Sequence, residues 1–456
     1  MLVLGAAGDL AARLLLPALA GLRERGRLPA GLEVVGLDRA ELDDGAFREH
    51  VRRAVAEHGD EAARASAADL AGGCAYVPGD AADPAAVRAA LARGDGPVVV
   101  YLALPPSVFA PAIAALAEAG LPEGSRVVVE KPFGVDLASA RSLNALLADT
   151  VPEEAVHRVD HFLGKQTVQN LLGLRFANRI LEPIWNREHI ERVEVTWDET
   201  LALEGRAGYY DRAGALRDMI QNHLMQVMAL VAIEPPPTMA ERDLRDRKVD
   251  LLRAVRTPDP ALADRETVRA RYAAGEAAGS RVPDYAAERG VDPARATETF
   301  AAVTLWVDTW RWSGVPFVLR SGKALGAARQ EVVIRFRPVP HLAFGQAEPP
   351  SPNVLRLGLA PDRVELSVSV NGPGDPFTLE QLTLDATLAP QEVSAYGRVI
   401  LDVLAGDPTL SIRGDEAEEC WRIVEPILGA WRAGTPPLRE YPAGSAGPPE
   451  APLTGS

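Results

Sequence analysis

The chain reads as an α/β protein of two domains. An N-terminal doubly wound parallel sheet precedes a larger α+β domain with a mainly antiparallel sheet. Three observations predict this. Residues 1–150 alternate short apolar runs with Ala/Leu/Arg-rich helical stretches, the signature of strands joined by crossover helices. From about residue 156 helices are joined by a growing number of strands. The last strands follow one another with no helix between them, which favours antiparallel pairing.

In the first part, Leu2–Leu4, Val34–Leu37, Val98–Leu104 and Val127–Val129 are continuous apolar runs, as expected of strands buried on both faces. Helix-like stretches lie between them at Leu10–Arg25, Asp44–His58, Pro84–Arg93 and Pro106–Ala119. In the second part, helices are expected over Thr167–Asn178 and Gly214–Ile233. Strands are expected at Glu191–Thr196, Thr299–Val307, Phe317–Arg320, Val332–Phe336, Val354–Leu359 and Val364–Val370. The expected boundaries are 1–155 and 156–441, with 442–456, rich in Pro, Gly, Ala and Ser, a flexible tail. No internal repeat is evident.

At 456 residues, 47% apolar and 24% charged, the composition is that of a globular protein too long for one core. A formal net charge of -15 argues against nucleic-acid and acidic-membrane partners. Cys74 and Cys420 cannot build a disulfide framework and read as buried structural thiols in a reducing cytoplasm. No apolar run reaches the ~18 residues of a membrane span. The opening Met-Leu-Val-Leu-Gly is already a strand without a basic leader. A cytoplasmic protein is expected.

Lysine is almost absent: four residues against forty-four arginines. Three lie in compact motifs: Lys131 in Glu-Lys-Pro-Phe-Gly, Lys165 in Asp-His-Phe-Leu-Gly-Lys and Lys323 in Arg-Ser-Gly-Lys-Ala-Leu. Where arginine serves as the generic cation, a retained lysine points to a need for a small ammonium that grips a phosphate or hydroxyl. Lys248 sits in a charge-alternating run that reads as a solvated helix face.

The first strand runs into Gly5-Ala6-Ala7-Gly8-Asp9-Leu10 and then a helix. Gly5 permits a tight turn, and Gly8 lets the backbone approach a diphosphate resting on the helix N-terminus. The competing reading is a plain strand-to-helix turn; its position on the first strand of a parallel sheet favours a dinucleotide. At the end of the second strand, Asp38 suits ribose hydroxyls and Arg39 suits a 2′-phosphate, and the two argue in opposite directions.

Asp160, His161 and Lys165 fall within six residues, and Asp218, Asn222 and His223 head an apolar helix. A histidine oriented by a buried carboxylate is the neutral base that alcohol oxidation requires. A satisfied core histidine is the alternative for His223. No metal-ligand spacing is present, so no metal is expected.

These segments resemble the glucose-6-phosphate 1-dehydrogenase family. They are Gly-Ala-Ala-Gly-Asp-Leu, Tyr-Leu-Ala-Leu-Pro-Pro at 101–106, Glu-Lys-Pro-Phe-Gly at 130–134 and Arg-Val-Asp-His-Phe-Leu-Gly-Lys at 158–165. Further on come Gly-Arg-Ala-Gly-Tyr-Tyr-Asp at 205–211, Arg-Asp-Met-Ile-Gln-Asn-His at 217–223, Arg-Ser-Gly-Lys-Ala-Leu at 320–325 and Ala-Tyr-Gly-Arg-Val-Ile-Leu-Asp at 395–402. The resemblance implies a Rossmann-type dinucleotide domain, a substrate-binding and dimerisation domain, and oxidation of glucose 6-phosphate at C1. It implies His223 as base with Asp160 orienting it, and His161 and Lys165 on the sugar phosphate. Lys131 would bridge substrate and nicotinamide ribose. Glu199 and Asp218 would take sugar hydroxyls, and Lys323 would close the pocket. The cofactor, NADP, NAD or both, would meet Gly5, Ala7, Gly8, Asp9, Leu10, Asp38, Arg39, Leu104, Pro105 and Lys131. A homodimer or homotetramer is expected.

Two positions depart from the family pattern. Phe162 replaces the usual tyrosine, removing a phosphate-directed hydroxyl. Ala328 falls where a second cation is usual, with Arg329 beside it as a substitute. These changes motivate a same-fold dehydrogenase of another sugar or sugar phosphate as an alternative; a non-catalytic sugar-phosphate sensor on the same fold is a third reading. The intact His223, Asp160 and Lys165 argue against the sensor.

Overall fold

The computed structural model describes all residues except 204, 206, 345–349, 375–376, 390 and 450–456. The chain forms two compact units: Met1–Lys165 with Pro236–Asp246 and Gln391–Glu418, and Gln166–Pro235 with Arg247–Pro390 and Glu419–Ser456.

The first unit is built on strands β1 (Leu2–Leu4), β2 (Val34–Asp38), β3 (Cys74–Pro78), β4 (Val99–Leu102), β5 (Arg126–Glu130) and β6 (Val156–Val159). They form one parallel sheet in the order β3-β2-β1-β4-β5-β6. Helices α1 (Leu16–Glu24), α2 (Asp44–His58), α3 (Glu61–Ala65), α4 (Ala67–Gly72), α5 (Pro84–Leu91), α6 (Phe109–Ala119) and α7 (Leu137–Ala148) lie between the strands. This is the doubly wound order whose topological switch falls between β1 and β4, where such sheets bind ligands. The core is tight around it: Phe47 is fully buried, and a Cβ on Gly36 would lie 2.7 Å from its ring. Substituting Phe47 by alanine would cost about 3–5 kcal/mol. Strand β6, unpredicted, hides a fully buried His157 and Arg158 in a short strand. Glu153 pairs with Arg158 at 2.7 Å, and burial pushes His157 down to about 4.

The second unit carries a nine-stranded sheet in the order β16-β15-β14-β13-β7-β12-β11-β8-β17. Its strands are β7 (Ile190–Asp198), β8 (Thr267–Ala273), β11 (Phe300–Trp306), β12 (Pro316–Gly322), β13 (Arg329–Phe336), β14 (Val354–Leu359), β15 (Asp362–Asn371), β16 (Leu379–Thr387) and β17 (Arg439–Pro442). A small hairpin, β9 (Gly275–Ala277) with β10 (Ser280–Val282), stands apart. Pairing is antiparallel except at β7–β12 and β8–β17. Helix α8 (Gln166–Phe176) packs near β14, and α9 (Ala207–Ala215) leads through a π-helix at Leu216–Leu224 into α10 (Met225–Ala232).

Two expectations meet a different structure. Lys248 is not on a solvated face: it is 1% exposed on α11 (Glu241–Ala254), where Arg245, Lys248 and Leu252 share one buried stripe. Spacings of three and four residues bury a stripe whatever its chemistry, and Glu241 neutralises Arg245 from one turn earlier. Residues 442–447, read as tail, are tied to the sheet: Ala443 N–H donates to Ala273, Gly444 N–H to Ala324, and Arg320 to the Ala446 carbonyl. The remainder of that segment, 450–456, lies outside the described residues. Helices α12 (Ala263–Glu266), α13 (Ala395–Ala405) and α14 (Gly414–Arg432) complete the set. Both cysteines are buried and unbridged, as expected. No helix among the described residues is long and apolar enough to cross a membrane.

Candidate active site

Each unit holds part of the predicted constellation. In the first, Leu4 and Leu102 are paired across the switch point, so the turns after β1 and β4 rise side by side. Gly5 has φ +84°, and a Cβ there would lie 2.4 Å from the Ala103 carbonyl. Only glycine fits both conditions. A Cβ on Gly8 would meet Gly5 O at 3.1 Å. Leu10 and Leu104 are half-buried, while Pro105 and Asp9 are exposed, Asp9 pairing with Arg13 at 3.6 Å. The cradle thus fits a dinucleotide: glycines where backbone must approach a diphosphate, with helix N–H groups beyond. Asp38 is half-buried, and its Oδ2 accepts from the Ala7 N–H at 3.1 Å. The carboxylate is therefore aimed at the glycine turn, and Arg39 stands exposed beside it. Tyr76 fixes this corner by donating to the carbonyls of Asp38 and Ala40.

On the other side of β4, Glu130 and Val159 are paired in register, so Lys131 and Asp160 leave neighbouring strands together. Asp160 is 2% exposed and its Oδ1 accepts from the Phe162 N–H at 2.9 Å. Successive backbone bonds, Leu163 to Asp160, Gly164 to His161 and Lys165 to Phe162, wind residues 160–165 into tight turns. Gly164 is required because a Cβ would lie 2.8 Å from the Ala395 carbonyl. His161 stacks on Tyr396 with centroids 5.7 Å apart, and the Lys165 ammonium sits 5.2 Å from the Phe162 ring centre. Phe162 therefore supports Lys165 through its ring face, a cation–π contact, where a tyrosine would also offer a hydroxyl.

Beneath these residues lies a carboxyl to which sequence reading assigned no role. Glu130 is buried, accepts from the Tyr101 hydroxyl at 2.5 Å, and is also bonded by Tyr396. Burial pushes its pKa up to about 7. The apolar strand ending in Glu130 was the only available signal, and it does not distinguish a buried carboxyl from an exposed one.

In the second unit, Asp198 and Gly322 are paired, which brings Glu199 beside Lys323. Lys323 Nζ lies 2.6 Å from Glu199 Oε2 and 5.2 Å from the Tyr210 ring centre. Arg329 does not stand in for the cation missing at Ala328: it pairs with the buried Asp198 at 3.2 Å, as does Arg320 at 3.0 Å. His223 is 1% exposed within the π-helix. An α-helix would set residues five apart roughly 140° from each other. The wider i→i+5 winding of a π-helix, common at functional sites, brings Asp218 round toward the side of His223. Tyr209 donates to Asp218 at 3.4 Å. The π-helix is launched by Gly214, φ +70°, and held by Glu298, whose Oε1 accepts from the Leu216 N–H at 3.1 Å. Glu298 was unpredicted; it lies 82 residues away in sequence, with no local pattern to mark it.

A glycine cradle at the switch point of a doubly wound sheet, with lysine, histidine and carboxylate groups on the neighbouring strand ends, defines a nicotinamide-dependent oxidoreductase. The glucose-6-phosphate dehydrogenase NAD-binding domain model matches residues 2–170, and the C-terminal domain model of the same enzyme matches residues 172–454. Glucose-6-phosphate 1-dehydrogenase of Treponema pallidum is 40% identical, covering 98% of this chain and 92% of its own. Glucose-6-phosphate 1-dehydrogenase 2 of Mycobacterium bovis is 43% identical over 98% and 91%. Among solved structures, a glucose-6-phosphate dehydrogenase in complex with glucose 6-phosphate aligns with a TM-score of 0.88 at 32% identity, covering 98% of this chain and 95% of that one. The Mycobacterium avium enzyme aligns at 0.86 and 37%, covering 99% and 95%. The chain belongs to the glucose-6-phosphate dehydrogenase family.

Proposed function

We propose that the protein oxidises D-glucose 6-phosphate at C1 to 6-phosphoglucono-1,5-lactone, the entry step of the oxidative pentose phosphate pathway. The observation that carries this reading is the turn 160–165, which sets His161 and Lys165 around a buried Asp160. Two donors four residues apart suit a phosphate dianion, and that remote grip can be used to orient C1. His223 takes the C1 hydroxyl proton, with Asp160 orienting its ring. A bound nicotinamide accepts the hydride that leaves C1. Lys131 bridges the sugar and the nicotinamide ribose. Asp218 and Glu199 accept from sugar hydroxyls, and Lys323, held by Glu199, closes the pocket. The cofactor site comprises Gly5, Ala7, Gly8, Asp9, Leu10, Asp38, Arg39, Leu104, Pro105 and Lys131, and it accepts both NAD and NADP. The protein acts in the cytoplasm as a homodimer or homotetramer.

Steady-state turnover with a panel of sugars and sugar phosphates and both cofactors tests this. Glucose 6-phosphate should lead the panel. Lys165→Ala and Lys165→Arg should each raise its KM by a similar factor while barely changing turnover of unphosphorylated glucose, since arginine's planar fork does not replace a compact ammonium. Equal losses on both sugars would remove Lys165 from the phosphate site.

A further inference from the structure

The second unit contains a cavity of about 760 Å³ to which the reaction assigns no task. Five arginines line it: Arg212, Arg217, Arg269, Arg295 and Arg432. Two carboxylates, Asp211 and Glu298, line it as well, so arginine outnumbers carboxylate five to two. Asp211 is 2% exposed and accepts from the Tyr285 hydroxyl at 2.9 Å and from the Asp292 N–H at 3.0 Å. Glu298 is buried and holds the Leu216 N–H. Of the five guanidinium groups, Arg295 has carboxylate partners, Asp211 at 3.6 Å and Asp292 at 3.3 Å. Arg269 donates to the Pro436 carbonyl at 2.8 Å and lies 5.8 Å from the Trp431 ring centre. Arg212 and Arg432 are exposed and, among the described residues, have neither an ion pair nor a hydrogen bond.

So dense a cationic concavity is unexpected on a chain of net charge -15. Its size is that of a small-molecule site. Guanidinium forks match phosphate and carboxylate oxygens two at a time. The aromatic residue in the wall, Trp431, is 3% exposed and offers no open face for stacking a base. Recognition would therefore act through anionic oxygens. We propose that this cavity is a second ligand site, separate from the residues assigned to catalysis, for a small polyanion bearing two or more phosphate or carboxylate groups. It abuts the N-terminal end of the π-helix, since Arg217 belongs to that helix and Glu298 holds its first turn.

Calorimetric titration of the full chain at constant ionic strength tests this, using inorganic pyrophosphate and citrate as probes and chloride as control. The wild type should bind at least one probe saturably; pyrophosphate alone marks a phosphate ligand and citrate alone a carboxylate one. Arg212→Ala/Arg432→Ala, which alters two exposed side chains outside the catalytic set, should weaken binding about tenfold or more, as expected for lost charge-assisted bonds. Lys165→Ala should bind as the wild type does. The proposal is overturned if neither probe binds, if the double variant binds unchanged, or if Lys165→Ala abolishes binding, since the anion would then occupy the substrate's phosphate position.

Discussion

His223 carries the heaviest chemical duty assigned to any residue, and its surroundings leave little room for compensation. It is fully enclosed, and its backbone N–H is held by the Asn222 side chain at 2.5 Å. His223→Asn should lower turnover by roughly two to four powers of ten, the usual worth of a positioned base, with little change in glucose 6-phosphate affinity. Steady-state kinetics beside equilibrium binding checks this; retention of a tenth of the wild-type turnover would exclude it as the base. The proposed use of both cofactors is tested at the Asp38 corner. Because Asp38 is bonded to the Ala7 N–H at 3.1 Å, its carboxylate is held at the glycine turn, and under the proposed function it would accept from a free 2′-hydroxyl and repel a 2′-phosphate. Wild type should use both cofactors. Asp38→Asn should shift the kcat/KM ratio toward NADP and Arg39→Ala toward NAD, each by about tenfold, the worth of one charge-assisted bond. A wild-type NADP preference above roughly a thousandfold, about 4 kcal/mol, would mean Arg39 dominates. Asp38 and Arg39 were legible because one ends the second strand and the other follows it directly; the bond from Ala7 was not, because a backbone donor leaves no mark on residue type.

Local rules also explain which elements could be read. Strands β1, β2 and β5 have continuous apolar centres and were evident, as was β14, whose single Arg356 alternates with apolar neighbours. Strand β6 was missed because Arg158 and His157 interrupt it, and β16 because its side chains are exposed on a sheet edge, where apolar and polar residues mix. The helix around His223 was evident from its apolar length, but its π winding was not, because hydrophobic periodicity hardly separates i→i+4 from i→i+5 in so apolar a segment. Gly214 makes that winding testable. A Cβ there would lie 2.3 Å from Glu298 Oε1 at φ +70°. Gly214→Ala should cost about 2 kcal/mol or more through backbone strain and overpacking. It should also depress turnover by shifting the helix that bears Asp218 and His223. Gly173→Ala, inside α8 with nothing within 4 Å of the added Cβ, should instead gain about 0.5–1 kcal/mol. Thermal unfolding of both variants checks the pair; equal shifts would show that Gly214 is not under positional constraint.

At the scale of the whole molecule, the assignment of a two-part dehydrogenase rests on motifs spread over most of the chain, and these were visible in one sequence because each pairs an unusual residue with a fixed neighbour. What they could not reveal was which charges are buried. Lys248 and Glu130 look like surface residues in sequence and lie inside the protein. Glu130 makes a pH prediction. Its folded value, about 7, lies above the ordinary 4.5 because burial disfavours the anion. The folded state therefore keeps a proton that the unfolded chain releases, so Glu130's contribution is fully present below about pH 4.5 and is lost as pH rises toward 7. His157 and Asp402 titrate in an overlapping range, so the difference between wild type and Glu130→Gln isolates the effect. The variant should gain stability relative to wild type between pH 5 and 8 in urea titrations, and parallel curves would contradict a buried titrating carboxyl. The reaction itself has the most direct test. Glucose 6-phosphate carrying deuterium at C1 should deliver one deuterium to the reduced nicotinamide and none to water, with the phosphorylated lactone or its hydrolysis product as the only sugar formed. An unlabelled reduced cofactor, or deuterium released to solvent, would contradict hydride transfer from C1.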